Sequence, residues 1–112
     1  MPHLSSDMES CVEACTQCHH VCLETVTHCL EKGGEHAEAA HVQLLIDCAR
    51  ICQASADFML QKSSFHGAVC GVCADVCEKC AADCERFGDD QEMARCAEAC
   101  RRCAESCRRM AA

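Results

Sequence analysis

Apolar or small residues return every three or four positions along four stretches of the chain, with charged and amide side chains filling the positions between. Steps of three and four return to one face of an α-helix, whereas a half-buried strand alternates with a period of two. The pattern therefore predicts four amphipathic helices, and the residues between them set the bounds. Ser6-Asp7-Met8-Glu9 reads as a capping box with Ser6 as the N-cap. The first helix runs from there to about Lys32 and stops at Gly33-Gly34, residues suited to a left-handed C-terminal cap. A second covers roughly residues 35–61, with Glu35 and Glu38 in its first turn. Ser63-Ser64 restarts the chain, the third helix runs to Phe87, and Gly88 closes it. Asp89-Asp90-Gln91-Glu92 starts the fourth, which ends with Arg101, Arg102, Arg108 and Arg109 towards the negative end of its dipole. Connections this short make neighbours antiparallel. The expected fold is all-α, an up-down-up-down four-helix bundle.

Composition supports the helical reading and narrows the function. The chain has 112 residues, no Trp or Tyr, and one Pro, at position 2. Strand formers are scarce, and residues 1–112 read as a single domain. The net charge of −8 is spread through all four segments, which reads as a solvated acidic surface and argues against nucleic acid as a partner. No apolar stretch approaches the ~20 residues that span a bilayer, so no membrane association is expected. Residues 1–9 carry no basic region followed by an apolar run, and a cytoplasmic location is expected. In that compartment thiols stay reduced, and a cysteine-rich chain binds metal more readily than it forms disulfides.

Cysteine is what fills the core face. The sixteen fall at Cys11, Cys15, Cys18, Cys22 and Cys29; at Cys48 and Cys52; at Cys70, Cys73, Cys77, Cys80 and Cys84; and at Cys96, Cys100, Cys103 and Cys107. One or two on a helical face would be ordinary packing, because a free thiol behaves as a small hydrophobe. Sixteen form stripes of potential ligands. Seven pairs are four apart (11/15, 18/22, 48/52, 73/77, 80/84, 96/100 and 103/107). On a helix such Cβ atoms lie about 5–6 Å apart, wider than the roughly 3.5–4.5 Å a disulfide needs. Two metal–sulfur bonds of about 2.3 Å in line span about 4.6 Å, which suits one ion held between the two thiols. Cu(I) is soft, prefers thiolate and accepts two or three ligands, whereas Zn²⁺ wants four in a tetrahedron. About four Zn²⁺ in separate four-thiolate sites would leave a buried charge near −8, while monovalent ions in numbers similar to the thiolates leave the core near neutral. Ag(I) satisfies the same charge count. Iron–sulfur ligand runs have similar short spacings, but they lie in loops with Gly and a following Pro, and the spacing here is helical.

The repeated steps Cys11-x-x-x-Cys15-x-x-Cys18-x-x-x-Cys22, the run Cys70, Cys73, Cys77, Cys80, Cys84, and above all Cys96, Cys100, Cys103, Cys107 followed by Arg108-Arg109-Met110 resemble one known group. These are the cysteine-rich four-helix-bundle copper storage proteins, in their cytosolic bacterial form, and the resemblance covers essentially the whole chain. It implies a bundle whose core fills with Cu(I) at about one ion per cysteine, and a homotetramer. The partners are then copper ions and, for delivery, a copper chaperone. Helix two supplies only Cys48 and Cys52, and Thr25 stands in the first stripe where another thiol would fit.

Counting from the helix termini separates the two ends of the bundle. One gathers Leu4, Met8, Phe58, Met59, Leu60, Phe65, His66 and Met110, a mostly apolar plug. The other gathers Cys29, His41, Cys84 and Met93, with His28 and His36 close by. His41 lies seven residues before Cys48, and Met93 three before Cys96, so each shares a core-facing stripe. These two are the candidate entry ligands, with Met8, Met59, Met110 and His66 as the alternative mouth. His3, His19 and His20 read as surface residues.

No phosphate loop, nucleophile elbow or zinc-hydrolase spacing is present, and the chain does not read as an enzyme. The leading function is high-capacity Cu(I) storage and detoxification. A metallothionein-like Zn²⁺ or Cd²⁺ buffer and a thiol redox sensor are the other classes open to such a sequence. Protonated cysteines pack as hydrophobes beside Leu44, Leu45, Ile51 and Phe58, so the bundle is expected to be helical before metal arrives.

Overall fold

Ser5 starts the first helix, one residue earlier than the sequence suggests. In the computed structural model, which describes residues 4–111, Ser5 is extended (φ −64°, ψ 160°) and its hydroxyl accepts the Met8 N–H at 3.2 Å. The residue three beyond the cap is then Met8, which has no carboxylate to reach back, so the reciprocal capping box anchored on Ser6 does not form. The expectation for His3 falls outside the described residues. Helix α1 spans Ser6–Lys32 and ends at Gly33, whose φ of 70° and ψ of −166° place it where a side chain is disfavoured; its N–H bonds the Cys29 carbonyl.

The next helix does not begin at residue 35. A short 3₁₀ turn, Gly34–Ala37, follows, and Glu38 is extended (ψ 139°) before α2 runs from Ala39 to Leu60. The break lets the turn fold over the bundle end, where the His36 ring packs 4.2 Å from that of Phe87. Helix α3 spans His66–Glu85 and α4 spans Gln91–Met110. Asp90 caps α4, its Oδ1 accepting the N–H groups of Glu92 at 3.0 Å and Met93 at 3.3 Å.

The packed pairs are α1 with α2, α2 with α3, α3 with α4, and α4 with α1. This is the expected up-down-up-down square, 49 Å long and 21 Å across in both other directions. Its interior is sulfur: all sixteen cysteines are free thiols, none more than 1% exposed. Leu45, Met59, Met93 and Val21 are the largest hydrocarbon-rich side chains buried among them. Arginines of α4 tie the outside to its neighbours, Arg95 to Glu24 on α1 and Arg108 to Asp75 and Glu78 on α3.

Candidate metal centre

Antiparallel packing sets α1 and α4 as a ladder of thiols that runs up one helix as it descends the other. Cys11 and Cys15 lie 3.6 and 3.5 Å from Cys107, Cys15 lies 3.6 Å from Cys103, and Cys18 lies 3.7 Å from Cys100. Cys22 follows at 3.8 Å from Cys100 and 3.9 Å from Cys96. On the facing pair, Cys77 lies 3.6 Å from both Cys48 and Cys52. Cross-links between the ladders come from Cys18 to Cys48 at 3.9 Å and Cys52 to Cys103 at 3.7 Å. Cys84 interacts with Cys80 and Cys96, and Cys70 joins Cys11 and Cys107 at the far end, where the Ser55 hydroxyl donates to the Cys70 sulfur at 3.6 Å.

These distances add a second arrangement to the in-line pairs expected from spacing alone. Within single helices the pairs 18/22, 73/77 and 103/107 lie 3.8–3.9 Å apart, short of the about 4.6 Å that an in-line ion requires. Three sulfurs around a trigonal ion at about 2.3 Å stand about 4.0 Å apart, which matches, and the third sulfur comes from another helix. A tetrahedral edge of about 3.8 Å would match as well. Sharing separates the two. Sets of four sulfurs within 4.8 Å include 18/22/48/100, 18/48/52/77 and 52/73/77/103, so Cys18, Cys48, Cys52 and Cys77 each serve two sets. Isolated four-thiolate sites need exclusive ligands; bridged low-coordinate ions need shared ones.

The same packing prevents the thiols from ionising independently. The hydrogen bond between Cys18 and Cys100 lowers the pKa of Cys18, while the same contact and burial push that of Cys100 up. Cys29 stands apart from the ladder, and burial, reinforced by surrounding negative charge, pushes its thiol up to about 11.

Cys29 is the sulfur at the end that also holds His41 and Met93. It lies 3.3 Å from His41 Nε2 and donates to Met93 Sδ at 3.6 Å. His41 is 2% exposed and Met93 fully buried. The other imidazole nitrogen, Nδ1, meets Asp83 Oδ2 at 2.5 Å, which places the Nδ1 proton on the carboxylate side and leaves the Nε2 lone pair facing Cys29. Burial works against the Asp83 anion, but the bonds from His41 and from Arg86 (2.7 Å) outweigh it and lower its pKa. Phe87 covers the His41 ring at 4.9 Å.

Spacing assigned no role to Asp83; Phe87, three residues beyond Cys84 and seven beyond Cys80, continues the α3 stripe, and that spacing was the signal for it. Thr25 is buried in the α1 stripe, but its hydroxyl bonds the Val21 carbonyl at 2.7 Å. His19 is not a free surface residue: it is half-buried and its Nδ1 donates to the Ala49 carbonyl at 2.9 Å. At the opposite end Met59 is fully buried, Met8 and Met110 pack against the core, and His66 Nδ1 donates to the Ser63 carbonyl at 2.8 Å.

The family model for copper storage proteins matches residues 4–112. Among solved structures, the Cu(I)-bound copper storage protein BsCsp3 of Bacillus subtilis is 38% identical, with a TM-score of 0.88 over 96% of this chain and 100% of that one. A cytosolic copper storage protein from Streptomyces lividans, in a structure of copper loading with five coppers, is 29% identical, with a TM-score of 0.80 over 93% and 91%. The uncharacterized cysteine-rich protein YhjQ of Bacillus subtilis is 40% identical over 68 residues; the match spans 61% of this chain and 63% of that relative.

Proposed function

The chain belongs to the copper storage protein family, and from that premise we propose that it is a high-capacity store for Cu(I) that uses all sixteen core cysteines as ligands. The observation that carries the reading is the shared sulfur network: of sixteen buried thiols, at least twelve fall in overlapping sets of three or four, spaced for ions that bridge. As each thiol gives up its proton and binds a monovalent ion, the core stays near neutral and no net charge is buried. The cargo exchanges between adjacent thiolates without leaving the bundle, since neighbouring sulfurs are in contact along its length. A bundle filled this way has no substrate pocket, and the protein is read as a store and not an enzyme.

Cu(I) enters at the end where Cys29, His41 and Met93 meet. The support is chemical: the Cys29 thiol lies 3.3 Å from the imidazole nitrogen that Asp83 orients and 3.6 Å from the soft thioether of Met93. The cytosolic description of the Streptomyces lividans relative supports a cytoplasmic location; a copper chaperone is the donor we propose. A homotetramer is the assembly implied by the resemblance; exposed Leu23 and Leu30, seven apart on α1, are apolar area that contact between copies would cover.

The test is an anaerobic titration of reduced protein with Cu(I) against a chromogenic chelator. Uptake of about one ion per cysteine before any chelator complex forms is expected. Saturation near four ions would favour a tetrahedral Zn²⁺ or Cd²⁺ buffer, and easy loss to the chelator would favour a redox role.

A further inference from the structure

Outside the sulfur core, two histidines from different parts of the chain converge on one carboxylate oxygen from a third. His28 near the end of α1 and His36 in the 3₁₀ turn both bring Nε2 to Asp90 Oδ2, at 2.8 and 3.0 Å. The two imidazoles are edge-on to each other, with ring centroids 5.9 Å apart at 80°. Asp90 divides its carboxylate: Oδ1 caps α4 through the Glu92 and Met93 N–H groups, and only Oδ2 meets the histidines. The side chains of His28, His36 and Asp90 are 21%, 19% and 13% exposed, so water and ions reach them. They open on a cleft that Lys32, Gly88 and Asp89 also line.

We propose that His28, His36 and Asp90 form a second metal site, for a borderline divalent cation of tetragonal preference, Ni²⁺ or Cu²⁺ in class. The warrant is the spacing of the donors. Cis ligands at right angles around an ion with bonds of about 2.0–2.1 Å stand about 2.9 Å apart, whereas tetrahedral ones stand about 3.4 Å apart. The two nitrogen–oxygen separations are hydrogen-bond lengths that also fall in the right-angle range, so both ring nitrogens already lie within reach of an ion held on Oδ2. On binding, each neutral ring carries its proton on Nδ1 in place of Nε2, and a turn of the two rings off the N–O line brings both Nε2 lone pairs and Oδ2 onto one ion, leaving the cleft side for water or Asp89. Two imidazoles and a carboxylate are also a harder donor set than the thiols inside, so this site and the core select different cations.

Occupation has a consequence for traffic, and that part rests on the mouth assigned above. His28 precedes Cys29, and Asp90 caps the helix that begins with Met93 in its first turn. An ion on the three residues pins the segments that frame Cys29 and Met93, and so slows passage between them.

The probe is Ni²⁺, which is redox-inert towards thiolates, added to Cu(I)-saturated protein so that the core ligands are already engaged. Calorimetry should give about one tight Ni²⁺ per chain, weakened about tenfold or more by His28→Gln with His36→Gln. Paramagnetically shifted proton resonances should arise from His28 and His36. Unchanged helicity and Cu(I) capacity show that the variant is folded. Ni²⁺ binding that survives the double substitution, or shifted resonances from His19 and His20 instead, overturns the site. One bound Ni²⁺ should slow chelator extraction of Cu(I) several-fold in the wild type only. Extraction unaltered with Ni²⁺ bound overturns the effect on traffic, and neither result touches the titration that tests storage.

Discussion

At His41 one ring nitrogen is held by Asp83, and the other is thereby directed at Cys29. A ring held in this way would need no rearrangement to take up the proposed entry role, and Met93 supplies a second soft contact to the same thiol. The combined change His41→Ala and Met93→Leu is expected to slow Cu(I) loading at least several-fold in stopped-flow mixing while leaving the sixteen-thiol capacity in place. Loading at the wild-type rate would remove the entry role from both residues. Helical spacing alone put these two side chains on the stripes of Cys48 and Cys96. It could not put Asp83 beside His41, because that contact joins two helices 42 residues apart in the chain. Nor could it reveal that the Thr25 hydroxyl turns back to its own helix, a rotamer choice that removes it from the sulfur array.

Among the elements, the helix ends carry the departures from expectation. Periodicity placed four helices correctly, but the first cap moved to Ser5 and the second helix gave way at its start to a 3₁₀ turn. Local preference among adjacent serines is too slight to choose between them, and packing of His36 on Phe87 fixes the turn. Asp90 is the cap with most at stake. Burial opposes its charge, but the bonds from His28, the Met93 N–H and His36 outweigh it and hold the carboxyl at about 2, below the ordinary 3.8. A depressed folded-state pKa adds stability that is present above the unfolded value and lost as pH falls through the folded one. Asp90→Ala is therefore expected to lower the stability of reduced apo-protein by about 1–2 kcal/mol at neutral pH. The gap should narrow as pH falls from about 4 towards 2. Urea unfolding at pH 7 and pH 3 checks this; an equal gap at both would mean that the charge on Asp90 contributes nothing.

For the whole molecule, a core of neutral thiols predicts both folding and metal uptake. Thiols in contact pack as apolar groups, so reduced apo-protein should show a full helical spectrum by circular dichroism, and a random-coil spectrum would contradict the fold's independence from metal. Because most of these thiols are protonated before loading, each Cu(I) bound should release about one proton, measurable with a pH indicator in weakly buffered solution. Release well below that would mean a core already ionised. The chain by itself determined the four helices, the thiol stripe on each and the preference for a soft monovalent ion. All three follow from backbone periodicity, residue chemistry and charge, which are local or additive properties. Only the tertiary structure decided which sulfurs of different helices lie close enough to share an ion. It likewise decided that Asp83 orients His41, and that His28, His36 and Asp90 meet. Those outcomes depend on how helices distant in sequence are set against one another to within a few tenths of an ångström, a quantity that no periodicity along a single helix contains.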